Sequence, residues 1–200
     1  MYESLCKHWN CYILTLYGEY EQCAKLTIEH GTYYGKKSNP GTFQIAFMEV
    51  FSKGISSFVA ARTASEKRMR NRYRKNAMEI RTRVKDWINK GCPNFSHLDL
   101  FFDAEVAAGQ GKRHAAVQNY QTAIIIAARG GWMMDAGYFS EILAEYLLEI
   151  GERDDAVFRL QEALKYFREF GALRKAAMIE EKHAALLDPQ SPAVAVVVQN

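Results

Sequence analysis

The sequence predicts an all-α protein built from antiparallel helix pairs, and three observations support this prediction. Apolar residues recur at helical spacing in nearly every window, as at Phe47, Phe51 and Ile55. Only four prolines occur in the 200 residues, so residues 41–92 and 94–188 lack the strongest helix breaker. A segment in the second half of the chain also repeats after forty residues.

The predicted helices are separated by glycine and proline signals, each of which is suited to ending a helix. These signals predict four helix pairs and a capping helix, near residues 4–37, 42–90, 95–130, 132–170 and 172–187. Each pair buries its apolar stripe against its neighbours, so we expect residues 1–187 to form one repeat domain. Two prolines stop the last helix, and we expect residues 188–200 to form a disordered C-terminal tail.

The internal repeat aligns residues 111–131 with residues 151–171. In each copy a glycine is followed by a small residue five positions later, and then by a large and a second small residue. The matched positions are Gly111, Ala116, Tyr120 and Ala123 in the first copy and Gly151, Ala156, Leu160 and Ala163 in the second. Small residues seven positions apart let a neighbouring helix approach closely, while the large residue fills the groove and the glycine takes the turn. The spacing is therefore typical of two helices packed as a hairpin.

This spacing resembles the second helix of the tetratricopeptide repeat (TPR). The forty-residue period exceeds the usual ~34 residues, and the proline that normally closes each repeat is missing. Longer helices and glycine stops account for both departures. The resemblance implies a TPR-like α-α superhelix, which is a solenoid of four helix pairs plus the capping helix.

Three motifs carry a more specific resemblance, which covers residues 10–187: Phe102-Asp103-Ala104-Glu105, the Tyr120-x-x-Ala123-Ile124 helix and Tyr166-Phe167-x3-Phe170-Gly171-Ala172. They are similar to the helical-repeat region of large multidomain signalling proteins. In those proteins a serine/threonine-kinase-like domain and an AAA-type ATPase domain precede the helices, and a histidine kinase module often follows. The resemblance implies signal transduction and protein partners, among them other domains of a signalling kinase. A further hypothesis is a fragment of such a kinase or ATPase, with its activity in domains absent from this chain.

The positive charge is concentrated in one segment. The formal net charge is +3, yet residues 62–90 carry eleven Lys or Arg against three acidic residues. Within the basic helix predicted at 65–90, four cations fall close to one helical face: Arg70, Arg74, Arg81 and Lys85. A solvated or partner-facing helix is the leading interpretation, because basic patches without aromatic or motif context are permissive signals. Binding of nucleic acid or of an anionic surface is the alternative interpretation, and the sequence favours it less.

A group of aromatic and methionine residues opens the first helix of one repeat: Trp132, Met133, Met134, Tyr138 and Phe139. The exposed side of such a helix usually lines the concave surface of a solenoid, where these side chains could bind a segment of a partner protein. Core packing is the default interpretation, since aromatic residues at helical spacing are ordinarily buried. The group is therefore a candidate partner-binding site, and burial in the core is the alternative interpretation.

No residue is predicted to be catalytic, to bind a cofactor or to hold a metal ion. The segment 31–38, GTYYGKKS, has three residues between its glycines and a second lysine, so it departs from the P-loop pattern. The grouping of Cys6, His8 and Cys11 lacks a recognised zinc spacing, and half-buried cysteines in helix interfaces are the preferred interpretation. His183 is expected on a solvated helix face. The leading predicted function is a non-catalytic scaffold for protein interaction and regulation.

The composition predicts a soluble protein of the cytoplasm. The four cysteines form no Cys-x-x-Cys pair and lack the density of a disulfide-stapled secreted domain. The N-terminus has no basic stretch followed by an apolar run, and nowhere do eighteen apolar residues run together. We therefore expect a reducing compartment and no membrane span.

Overall fold

The computed structural model describes residues 2–31 and 43–188, and these residues form α-helices joined by short turns. The described residues contain a 3-10 turn at Pro93–Phe95 and ten α-helices. The helices are α1 (Tyr2–Leu16), α2 (Tyr20–His30), α3 (Phe43–Thr63), α4 (Lys67–Asn89), α5 (Ser96–Gly109), α6 (Arg113–Arg129), α7 (Met133–Ile150), α8 (Arg153–Phe170), α9 (Leu173–Lys182) and α10 (Ala184–Leu187). The all-α prediction is confirmed for this part of the chain.

The chain divides into two compact units, and the division falls at Ala116, inside α6. The first unit is organised around α3, which packs against α1, α2, α4 and α5. Gly54 lies in the middle of α3, where a Cβ atom would overlap the ring of Phe102 from α5. One turn further along α3, Phe58 stacks on the same ring with 5.0 Å between centroids. The missing side chain at Gly54 therefore lets α5 pack closely on the central helix.

The second unit is built on the hairpin of α7 and α8. Gly137 lies on α7 where an added Cβ atom would stand 2.9 Å from the ring of Phe167 on α8. The same ring meets Tyr138 edge to face, with 5.1 Å between the two centroids. A glycine again allows close contact between two helices, and an aromatic ring fills the space.

Glycines in the left-handed conformation end helices at corresponding places in the two copies of the repeat. Gly111 has φ 72° and Gly151 has φ 90°, values that side-chain-bearing residues rarely adopt. Behind Gly151, the amide of Glu152 donates to the carbonyl of Leu147 at 2.9 Å, which satisfies an orphan carbonyl at the end of α7. Each glycine thus reverses the chain between consecutive helices.

The remaining repeat positions lie in the interior. No side chain among them has measurable exposure: Ala116, Tyr120, Ala123, Ala156, Leu160 and Ala163. The alanines leave room for a neighbouring helix, and the ring of Tyr120 contacts that of Tyr146 with 5.9 Å between centroids. This burial is what the small-large-small spacing requires of a packed helix face.

Two predicted boundaries differ from the structure. The first predicted pair extends to residue 37, but α2 ends at His30 and residues 32–42 lie outside the described part of the chain, as does most of the segment compared with a P-loop. The capping helix predicted at 172–187 is two helices, because His183 adopts φ −114° and ψ 24° and interrupts the helical path. The predicted tail lies outside the described residues except for its first residue.

Within the described ranges, no helix is long and apolar enough to cross a membrane.

Candidate functional site

The orientation of α4 follows from its apolar stripe. Its buried residues recur every three or four positions and are Tyr73, Ala77, Ile80, Val84 and Trp87. Burial of the Tyr73 hydroxyl, together with the nearby carboxylate of Glu21, raises the pKa of this tyrosine to about 12. The stripe faces the core of the first unit, so the many cations of α4 are distributed over its flanks and its solvent side.

The predicted basic face of α4 lies on the flank that meets α5. Arg81 donates from Nε to Asp103 Oδ1 at 2.8 Å. Lys85 places its ammonium 3.8 Å from Asp99 Oδ2 and 3.9 Å from Asp103 Oδ1. Both cations are therefore neutralised by carboxylates of α5, whose approach does not follow from the sequence of α4 alone.

Arg70, on the same flank, is engaged with the backbone. Its guanidinium donates to the carbonyl oxygens of Ala64 at 2.8 Å and Ser65 at 2.7 Å, which lie just beyond the end of α3. Arg74 is exposed and forms no ion pair or hydrogen bond within the described residues. The four residues of the predicted basic face thus lie on one flank of α4, but three of them are engaged by groups of their own chain.

A different set of cations remains uncompensated on the solvent side of α4. We define the α4 cation surface as Lys67, Arg68, Arg72 and Lys75, all of which are exposed. None of the four has an ion pair or hydrogen bond within the described residues. Arg68, Arg72 and Lys75 follow the i, i+4, i+7 spacing, which brings their side chains to one side of the helix.

A cleft of about 410 Å³ lies beside this surface, between α2 and α4. Arg72 and Lys75 line it together with Thr27, Asn76 and one acidic residue, Glu79. The amide of Asn76 donates to Thr27 Oγ1 at 2.9 Å and to Ser57 Oγ at 2.8 Å, so it holds α4 against both α2 and α3. The polar wall of the cleft is therefore fixed in place, while its two cations point into solvent-accessible space.

The aromatic and methionine group at the start of α7 is only partly accessible. Tyr138 and Phe139 are buried in the second unit, whereas Trp132, Met133 and Met134 are half-buried. The structure favours the core-packing interpretation for Tyr138 and Phe139, because a buried ring cannot contact a partner. Only the first three residues retain surface that a partner could touch.

The first unit also contains a buried polar cluster between α1, α2 and α3. Thr15 Oγ1 lies 2.8 Å from Ser56 Oγ, and Cys23 Sγ lies 3.4 Å from the carbonyl oxygen of Cys11. The neighbouring thiol of Cys11, opposed by burial, lowers the pKa of Cys23 to about 7. The neighbouring thiol of Cys23, together with burial, raises the pKa of Cys11. These two cysteines are fully buried and not half-buried, and the hydroxyl groups that surround them gave no recognisable pattern in the sequence.

The second unit contains a buried ion pair between α7 and α9. Lys175 Nζ lies 2.9 Å from Glu141 Oε1 and 4.9 Å from the centroid of the Tyr138 ring. Burial raises the pKa of Glu141, and the nearby ammonium of Lys175 opposes this shift. His183 is also buried, which corrects the prediction of a solvated face, and burial lowers the pKa of its imidazole. The pair of Lys175 and Glu141 joins α9 to α7.

The fold and the site define an all-helical protein with a cation surface on one helix. Within the described ranges, no group of three or more His, Cys, Asp or Glu side chains is placed to hold a metal ion. No protein-family model matches the chain, and no curated protein or solved structure matches it.

Proposed function

We propose that the chain is a non-catalytic protein-interaction scaffold made of TPR-like helix pairs, and that the α4 cation surface binds an acidic segment of its partner. The observation that carries this proposal is the contrast between the two sides of α4. The flank toward α5 is neutralised by Asp99 and Asp103, whereas the solvent side keeps four cations that form no ion pair in the described part of the chain, although the carboxylate of Glu79 lines the same cleft as Arg72 and Lys75.

The arrangement of these cations suits an acidic peptide. They lie within nine residues of helix, which corresponds to about 12 Å of surface. Like charges four positions apart, as at Arg68 and Arg72, repel one another and weaken the helix slightly. Carboxylates of a partner would replace this repulsion with attraction and would also raise the association rate.

Nucleic acid is the alternative ligand for the same cations. Proteins that bind single strands or RNA commonly stack bases on exposed aromatic side chains. The aromatic residues of α4 are Tyr73 and Trp87, and both are buried in the first unit. The α4 surface thus offers charge without a stacking platform, which favours a protein segment over nucleic acid.

The repeat architecture supports the scaffold part of the proposal. Glycines in turns and alanines without exposed surface recur at matched positions of the two copies of the repeat, as expected for stacked helix pairs. The resemblance to the helical region of ATPase-containing signalling kinases suggests signal transduction in the cytoplasm as the context. In this proposal any kinase or ATPase activity belongs to other domains or partner chains.

The test is a charge reversal on the solvent side of α4. We expect the parent chain to bind a fluorescein-labelled Glu-rich peptide, and the triple variant Arg68→Glu, Arg72→Glu, Lys75→Glu to bind at least about tenfold more weakly, since three attractions become repulsions. Fluorescence anisotropy at two salt concentrations gives both affinities. Because these side chains are exposed, the circular dichroism of the variant should match that of the parent.

A matched control reverses three exposed cations elsewhere: Lys112→Glu, Arg113→Glu and Arg153→Glu. These residues also lack ion pairs in the described part of the chain, so the change in net charge is the same. An equal loss of affinity in the control would mean that only net charge matters, and the proposed surface would be wrong. Tighter binding of an RNA or DNA oligonucleotide than of the peptide would favour the nucleic-acid alternative.

A further inference from the structure

A cavity of about 280 Å³ lies in the first unit, between α3, α4 and α5. Hydrocarbon forms most of its wall, from Phe58 and Ala61 on α3, Met78 on α4 and Val106 on α5. Phe58 and Ala61 are more than nine-tenths buried, so this part of the wall lies well below the surface. The cavity can therefore remove the carbon atoms of a small ligand from water.

The polar part of the wall contains a buried ion pair, and Gln110 also lines the cavity. Arg62 reaches Glu105 with two nitrogens, Nε to Oε2 at 3.2 Å and Nη2 to Oε1 at 3.4 Å. The side chain of Arg62 is 8% exposed and that of Glu105 is 0% exposed. Taking such a pair out of water is costly, and the two charges cancel one another within the wall. The ion pair therefore contributes polar groups to the wall but adds no net charge to the cavity.

Arg74 is the remaining charged residue of the lining. Its side chain is exposed and has no ion pair or hydrogen bond within the described residues, so it marks the open side of the cavity. With Arg62 and Glu105 compensating one another, the lining carries one uncompensated positive charge. A ligand that matches the cavity has an apolar body and one negative charge directed toward Arg74.

We propose that this cavity binds a small organic anion, namely a monocarboxylate with a short hydrocarbon body. Its volume lies just below the ~300–1,000 Å³ of sites for drug-sized molecules, so the ligand is smaller than those molecules. The carboxylate pairs with the guanidinium of Arg74, and the hydrocarbon lies against Phe58, Met78 and Val106. This inference goes beyond the proposed function, because Arg74 is not part of the α4 cation surface and the cavity is lined by α3, α4 and α5, whereas the cleft beside that surface lies between α2 and α4.

The experiment uses the full chain labelled with ¹³C at the methionine methyl groups, titrated with sodium hexanoate at constant ionic strength. We expect the Met78 resonance to shift in a saturable way, while that of Met133, which lies in the other unit, stays in place. Hexanamide has nearly the same shape without the charge, and we expect it to bind at least about tenfold more weakly.

Two variants test the role of the charge at the opening. Arg74→Ala should weaken hexanoate binding at least about tenfold, and it should fold normally because the side chain is exposed. Arg153→Ala removes an exposed arginine of the other unit that forms no ion pair within the described residues, and it should leave the affinity within about twofold of the parent value. This pattern would assign the bound carboxylate to the cavity beside Arg74.

Any of the following results would overturn the inference. The first is the absence of a saturable shift at Met78. The second is equal weakening by both variants, or equal affinity for hexanamide, since either would show that Arg74 does not hold the carboxylate. The third is displacement of hexanoate by the Glu-rich peptide, because the cavity would then hold an acidic side chain of a protein partner and not a free carboxylate.

Discussion

His183 shows how a single buried residue can make the stability of this protein depend on pH. Its Nε2 atom is buried and has no hydrogen-bond partner among the described residues, and its ring lies near the charged groups of Lys182, Glu145 and Lys175. Burial and the two ammonium groups favour the neutral imidazole, while the carboxylate of Glu145 opposes them. The pKa of His183 in the folded chain is therefore below the 6.5 of an exposed histidine.

The sign of the pH dependence follows from this lowered pKa. As the pH falls through 6.5, the unfolded chain takes up a proton at this residue before the folded chain does. We expect the free energy of unfolding to decrease between about pH 7 and pH 5, and to decrease less in a His183→Gln variant. Urea denaturation at both pH values measures the difference. His114→Gln, a change at an exposed histidine, should retain the pH dependence of the parent; a His183→Gln variant with that same dependence would contradict the assignment.

At the scale of the helices, the turn between α5 and α6 contains two glycines with different roles. A Cβ atom would meet open space at both Gly109 and Gly111, so packing does not distinguish them. Gly111 has φ 72°, whereas Gly109 is the last residue of α5 and has no positive φ. Only the second of the two glycines is required by the backbone conformation.

This difference predicts opposite effects of the same substitution. Gly111→Ala should destabilise the chain by about 1–2 kcal/mol, because a side chain strains the left-handed conformation. Gly109→Ala should leave the stability unchanged or increase it by up to about 1 kcal/mol, since alanine is the better helix former. Equilibrium urea denaturation of the two variants measures both effects. Equal effects would show that the turn does not have the described geometry.

The cations of α4 illustrate what helical periodicity can and cannot predict. The spacing of Tyr73, Ile80 and Val84 puts all three residues on one side of α4, and this side is buried. It could not predict that Arg81 is neutralised, because its partner Asp103 is 22 residues away and belongs to another helix. The same limit applies to the cations that form no ion pair, because ion pairing depends on which carboxylates the fold brings near them.

At the scale of the whole molecule, the second unit has a core of its own. Tyr120 contacts Tyr146, Tyr138 contacts Phe167, and the buried repeat alanines line the helices that carry these rings. A fragment of residues 111–188 keeps all of α6 to α10. These contacts predict that the fragment folds without the first unit.

We expect the fragment 111–188 to be helical by circular dichroism and to unfold cooperatively on heating. Ala163→Arg should abolish the cooperative transition, because Ala163 has no exposed surface and no space for an arginine side chain. Phe158→Arg places the same residue at a 43% exposed site on the same helix and should preserve the transition. If Ala163→Arg melted like the parent fragment, the assignment of the repeat positions would be wrong.

The sequence by itself determined the features that depend on local spacing. Apolar periodicity predicted helices, glycines such as Gly111 and Gly151 predicted their ends, and the small-large-small pattern predicted buried positions such as Ala163. Each of these depends on residues within a few turns of one another, where helix geometry alone relates position in the chain to position in space.

Only the tertiary structure decided which polar groups are compensated and which remain available. Lys175 and Glu141 are 34 residues apart, yet they form a buried pair, and His183 is buried although its neighbours in the chain are charged. Such outcomes depend on the approach of distant helices, which removes water from some side chains and supplies opposite charges to others. The same approach leaves Lys67, Arg68, Arg72 and Lys75 uncompensated within the described residues, and it shapes the cavity beside Arg74.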